Sequence, residues 1–119
     1  MSDARDLSQL SQLEKEIELY WSEIVKFLLD SRKKSELSNI FKPEVKNRIA
    51  IIDNKFKKIE AILMELHRFH KDKGQEFEKL INEIERLHYL LKRIEPDSQW
   101  IESIHIGMQN IIFKLDAIK

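Results

Sequence analysis

The chain contains no cysteine, so neither a disulfide framework nor a thiolate metal site is open to it. Two glycines and two prolines leave little material for tight turns or long loops. Charge of one sign is missing as well: 21 basic residues balance 21 acidic ones. A partner that is a long polyanion usually selects a net basic domain, and this is not one. The longest uncharged stretch, Ser103–Phe113, is 11 residues and includes His105, Gln109 and Asn110. A membrane-spanning helix needs ~20 apolar residues, so no membrane partner is expected. Met1–Asp6 is polar and mixed in charge, without the basic and apolar regions of a signal peptide. A cytoplasmic protein is the expectation.

What remains is a Glu/Lys/Leu/Ile-rich composition, 35% charged and 42% apolar, of the kind that makes long amphipathic helices. Four apolar stripes with 3-4 spacing follow. Leu10, Leu13, Ile17, Tyr20, Ile24 and Phe27 mark a first helix from about Leu7 to Leu29, widened by Trp21, Val25 and Leu28. Val45, Ile49, Ile52, Phe56, Ile59, Leu63 and Leu66 mark a second, from about Pro43 to Lys71. Leu80, Ile84, Leu87, Leu91 and Ile94 mark a third, from about Gln75 to Glu95. Ile101, Ile104, Met108, Ile111, Leu115 and Ile118 mark a fourth, from about Ser98 to Ile118. Residues 30–42 form a polar connection in which a short helical turn tucks Ile40 and Phe41 under the helices. Pro43 suits a first helical position. Gly74 suits the left-handed residue after a helix, Pro96 stops the third helix, and Asp97 or Ser98 caps the fourth.

The short links at 72–74 and 95–97 force neighbouring helices to run antiparallel. The expected fold is all-α: one domain over 1–119, an antiparallel up-down four-helix bundle, with Ile59, Ile84 and Ile104 at its centre. A helical hairpin that dimerises by exchanging a terminal helix is the competing arrangement. Local charge is uneven. Residues 1–31 sum to −4 and residues 32–58 to +6, so these two segments attract each other as neighbours.

Chemistry is scarce. No nucleophile elbow, phosphate loop or zinc-protease motif occurs, and no enzyme activity or cofactor is expected. The one ligand-like constellation is a pair of Glu-x-x-His steps, Glu85/His88 and Glu102/His105, each on one helical face. Both lie at nearly one height either side of Pro96, with Glu60 near the same level and Glu14 or Glu18 a further candidate. Glutamates from two helices plus Glu-x-x-His from two others make a di-iron carboxylate site. The order of the helices departs from ferritin-like bundles, however, and the carboxylates flank the stripes rather than occupy them. Boundary histidines with a polar tip in water are the plainer reading. His67 and His70 read as polar side chains near the last carbonyls of the second helix. Arg32–Lys34 and the Lys55/Lys57/Lys58 cluster lack interleaved aromatics and read as solvated faces rather than a nucleic-acid site.

The fourth helix is the most informative. Between Gln99 and Ile118 its only charges are Glu102, Lys114 and Asp116, while apolar residues cover more than one face. A self-contained bundle helix keeps a charged outer face. Trp100, Ile106 and Phe113 are therefore the candidate partner-binding residues, the last two offset from the core stripe. Gly107 costs ~1 kcal/mol relative to alanine in mid-helix. It fits either a close backbone approach or a chance surface position. The expected function is a non-enzymatic interaction module (adaptor, assembly chaperone or regulatory subunit) that binds another copy of itself or another helical protein. The alternative is a carboxylate/histidine metal-binding bundle.

Overall fold

A computed structural model describes residues 2–28, 40–69, 72 and 74–118. Four helices account for nearly all of them: α1 (Ser2–Leu28), α2 (Pro43–Phe69), α3 (Gly74–Lys92) and α4 (Ser98–Ile118). There is no strand among the described residues.

The start and end signals show how these segments become helices. The Lys42 carbonyl accepts the N–H groups of Val45 and Lys46 at 3.0 and 2.9 Å, so Lys42 caps α2 and Pro43 fills the first position, where its missing N–H costs nothing. Asp97 caps α4. Its carboxylate accepts the Gln99 N–H at 3.0 Å and its carbonyl accepts the Ile101 N–H at 3.2 Å.

Two boundaries depart from the sequence-based expectation. α1 begins at Ser2, because the residues before Leu7 include no helix breaker even though they carry no apolar stripe. α3 ends at Lys92 instead of Glu95, because Pro96 cannot donate a helical hydrogen bond and excludes Glu95 from the helical region. Gly74 is also corrected. It has no positive φ and opens α3, with the His67 ring against it: a Cβ there would lie 2.8 Å from His67 Cε1.

Cross-helix pairs fix the topology. Glu16 meets Lys55 and Glu23 meets Arg48, so α1 and α2 run antiparallel. Asp53–His88 and His67–Phe77 do the same for α2 and α3, and Trp100–Leu90 and Lys114–Glu83 for α3 and α4. Trp21 reaches His105 across the remaining seam between α1 and α4. The result is an up-down four-helix bundle measuring 50 × 22 × 21 Å. The Glu23–Arg48 and Glu16–Lys55 pairs carry the attraction between the acidic first segment and the basic second one. Lys55 holds the Glu16 carboxyl below its ordinary range, with help from the Gln12 amide.

The core runs the length of the bundle along the four stripes. Every stripe residue of α2, Val45 to Leu66, is buried, as are Ile17, Ile24, Leu80, Ile84, Leu87, Ile104, Met108, Ile111 and Leu115. Ile40 is fully buried beneath the bundle in a short helical turn, whereas its neighbour Phe41 is half exposed, with the Lys46 ammonium 5.7 Å from its ring. In α1 the Trp21 side chain takes the buried place and Tyr20 sits at the boundary. The side chains of Phe27 and Leu28, and the rest of the connection including Arg32–Lys34, lie outside the described residues, as does His70.

Candidate functional site

At about 100° per residue, the residues of α4 opposite the core are Gln99, Glu102, Ser103, Ile106, Gln109, Asn110, Phe113 and Ala117. All eight are exposed. They span ~27 Å of helix at 1.5 Å per residue and carry one charge, Glu102. Ile106 is 51% and Phe113 76% exposed, so each leaves a large apolar side chain in water. Fully burying such a side chain is worth ~1.5–3 kcal/mol, of which the isolated chain forgoes about half at Ile106 and most at Phe113.

Trp100 belongs elsewhere. It is only 5% exposed, and its indole N–H donates to the Leu90 carbonyl at 2.8 Å. Leu90 lies in the last turn of α3, where its carbonyl also accepts the Arg93 N–H at 3.2 Å in place of a full helical partner. Trp100 therefore packs in the core and caps α3, and it is not part of the outward face on which it was expected.

Beside the α4 face, a groove of about 350 Å³ runs along the α3–α4 seam. Leu87, Leu90, Ile106 and Gly107 line it together with the polar side chains of Glu83, Arg86, Ser103 and Asn110. At Gly107 an added Cβ would lie 3.3 Å from Leu87 Cδ1, the movable tip of a side chain and not backbone. Leu90, 36% exposed, extends the apolar surface across the seam. Its exposure was not legible from the α3 stripe alone, because it depends on how far α4 covers that flank.

The two Glu-x-x-His steps are separated by the bundle. His88 turns to α2, where its Nδ1 lies 2.6 Å from the Asp53 carboxylate. His105 turns to α1 and accepts the Trp21 indole N–H on Nδ1 at 3.2 Å, which places its own proton on Nε2. The two seams are on opposite sides of the molecule. Glu102 is exposed on the outer face of α4, and Glu85 is exposed beside α2. No group of three or more His, Asp or Glu side chains among the described residues has the arrangement of a metal site.

Around His88, a shallow groove of about 590 Å³ on the α2–α3 seam brings together Asp53, Glu60, Glu85 and Met64 with exposed Tyr89. Burial raises the Glu60 carboxyl above its ordinary range, and the nearby Glu85 adds to the shift. Asp53 was not singled out in the sequence, since its role exists only across helices. His67 rests against Gly74 and the Phe77 ring, 6.0 Å between centroids. Of the basic cluster, Lys55 pairs with Glu16, while Lys57 and Lys58 are exposed.

No helix among the described residues is long and apolar enough to cross a membrane. No family model, curated protein or solved structure matches the chain.

Proposed function

We propose that this protein is a non-enzymatic interaction module, an adaptor, assembly chaperone or regulatory subunit, that docks another helical protein surface on the outer face of α4. The observation that carries the reading is that face itself: exposed Ile106 and Phe113, seven residues apart, on ~27 Å of helix with Glu102 as the one charge on its outer side and Lys114 and Asp116 at its edges. The outer faces of the other helices are laid with charge, as at Lys15 and Glu18 on α1, Lys57 and Lys58 on α2, and Glu85 and Arg86 on α3. An apolar patch rimmed by polar residues marks a binding surface. The groove at Gly107 gives it relief, which a partner side chain can fill. The cytoplasm is part of the same proposal, and the absence of cysteine is compatible with a reducing compartment.

The metal-binding alternative receives no support from the geometry, because His88 and His105 sit on opposite seams and each is already engaged.

The test is isolation of the tagged protein from its own cells, as wild type and as the double variant Ile106→Lys/Phe113→Lys. The wild type is expected to carry a stoichiometric second chain, identical or different, that the variant loses while keeping its helical content. Equal recovery of the second chain by both proteins refutes the docking face.

A further inference from the structure

We infer that the α1–α4 seam is an acid-sensitive latch, closed by the Trp21–His105 hydrogen bond while the imidazole is neutral and released when the ring takes a second proton. The inference stands apart from the docking face, since it concerns how the bundle closes and not what it binds.

This seam is the least secured of the four. The chain itself joins α1 to α2, α2 to α3 and α3 to α4, whereas α1 and α4 meet only by packing. Their backbones also approach less closely than those of the three consecutive pairs. Each consecutive seam carries an ion pair: Glu23–Arg48, Asp53–His88 and Glu83–Lys114. Across the α1–α4 seam the Trp21 indole N–H donates to His105 Nδ1 at 3.2 Å. Trp21 is buried, so loss of that acceptor leaves a donor unmet on a core side chain.

The two seam histidines answer a proton in different ways. A neutral imidazole keeps one nitrogen that accepts, and the imidazolium has none, because both its nitrogens carry hydrogen. His105 serves as an acceptor, so its protonation removes the bond and sets one N–H against another. His88 lies against a carboxylate, which only accepts. Its Nδ1 donates to Asp53, 2.6 Å away, with or without a proton on Nε2. Acid therefore unlatches α1 from α4 and leaves α2 held to α3. Histidine is the side chain whose charge changes between about pH 5 and 8.

The surroundings give the released ring somewhere to go. His105 is exposed, so protons from solvent reach it. The charged residues that share the helical faces of Trp21 and His105 are all acidic: Glu14 and Glu18 on α1, Glu102 and Asp116 on α4. Glu18 and Glu102 lie one turn away and are exposed, and each can accept from the protonated ring once it turns from Trp21. Glu14 and Asp116 lie about 10 and 16 Å along their helices from Trp21 and His105.

Nuclear magnetic resonance on the full chain, from about pH 7.5 to about pH 5, tests the latch, with Trp100→Phe assigning the two indole N–H signals. The Trp21 signal is expected to move with the same midpoint as the His105 ring signals. Its exchange with water should quicken at least about fivefold relative to the Trp100 indole, the factor for losing one hydrogen bond. Spin labels at Ser22→Cys and Gln109→Cys, both exposed in a chain with no other cysteine, should move apart at the lower pH. Labels at Lys58→Cys and Arg86→Cys, on α2 and α3, should keep their distance. His105→Gln, whose amide oxygen accepts at every pH, should lose the Trp21 and α1–α4 changes. A Trp21 signal that follows pH as Trp100 does, an α1–α4 distance that stays the same, or both label pairs moving apart overturns the latch. So does a His105→Gln variant that keeps the changes. Should that variant fail to fold, different midpoints for Trp21 and His105 in the wild type overturn it equally.

Discussion

Replacing Gly107 with alanine sets two effects of known size against each other. Alanine in mid-helix is favoured over glycine by ~1 kcal/mol, because it gives up less backbone freedom on folding. Opposing this, the new Cβ would stand 3.3 Å from Leu87 Cδ1, a few tenths of an ångström inside the ~3.5–4.0 Å optimum for carbon contacts. Whether Leu87 can yield decides the sign. Its methyl group is the far end of a flexible side chain, and Leu87 borders the open seam groove of about 350 Å³. Room therefore exists for a small rotation, and the strain is a minor fraction of the propensity gain. Gly107→Ala should stabilise the monomeric bundle by about 0.5–1 kcal/mol, which raises the melting temperature by about 2–6 °C for a domain of this size. Thermal denaturation followed by circular dichroism, compared at equal protein concentration in the Phe113→Lys background to remove any contribution from association, reads this directly. A fall in melting temperature would show that Leu87 is locked in place and that the α3–α4 contact needs glycine.

Further outcomes follow from the core, the α3 cap and the α2–α3 groove. Ile84→Asp buries a carboxylate without a partner in mid-core, and against a total stability of ~5–15 kcal/mol it should abolish the cooperative melt. Trp100→Phe keeps an aromatic ring but removes the indole donor to the Leu90 carbonyl, which retains the Arg93 N–H, and should cost at least the ~0.5–1.5 kcal/mol of the hydrogen bond in a urea titration. Glu60 has a raised carboxyl pKa, so the folded state favours its protonated form. Its contribution is most favourable below the unfolded-state value and is lost as pH rises through the folded one. Glu60→Gln should therefore raise stability at neutral pH, with the gain disappearing at low pH, in melts taken as a pH series. A gain that is the same at every pH would exclude the titration of Glu60 as its source.

The bundle was legible because its signal is periodic. Val45 to Leu66 alternate 4-3 without a slip, and that spacing alone places every one of them in the core. The opposite charges of the first two segments likewise pointed to an attraction between them, though not to the Glu16–Lys55 and Glu23–Arg48 pairs that carry it. What escaped the sequence depends on which neighbour a flank meets. The spacing of Glu85 and His88, or of Glu102 and His105, puts each pair on one face of its helix. It does not say that one face turns to Asp53 of α2 and the other to Trp21 of α1. Trp100 was misplaced for a related reason: its indole turns to the end of α3, where it packs in the core and donates to the Leu90 carbonyl, and that neighbour is not visible in the spacing of α4. Gly74 was assigned to the end of α2 because glycine commonly ends helices, but here the requirement is space for His67. Ile106 and Phe113 were legible as outward-facing because their position relative to the Ile104–Met108–Ile111–Leu115 stripe is fixed by the helix itself.

The central claim is that Ile106 and Phe113 serve association and not the fold. Sedimentation velocity over a concentration series, run on the wild type and on Ile106→Lys/Phe113→Lys with melts on the same samples, tests it most directly. The account predicts a wild type whose sedimentation coefficient rises with concentration or with added partner, and a double variant that stays at 14.3 kDa with its melting free energy within about 1 kcal/mol of the wild-type monomer. A double variant that loses its helical content, or one that associates as the wild type does, would contradict it.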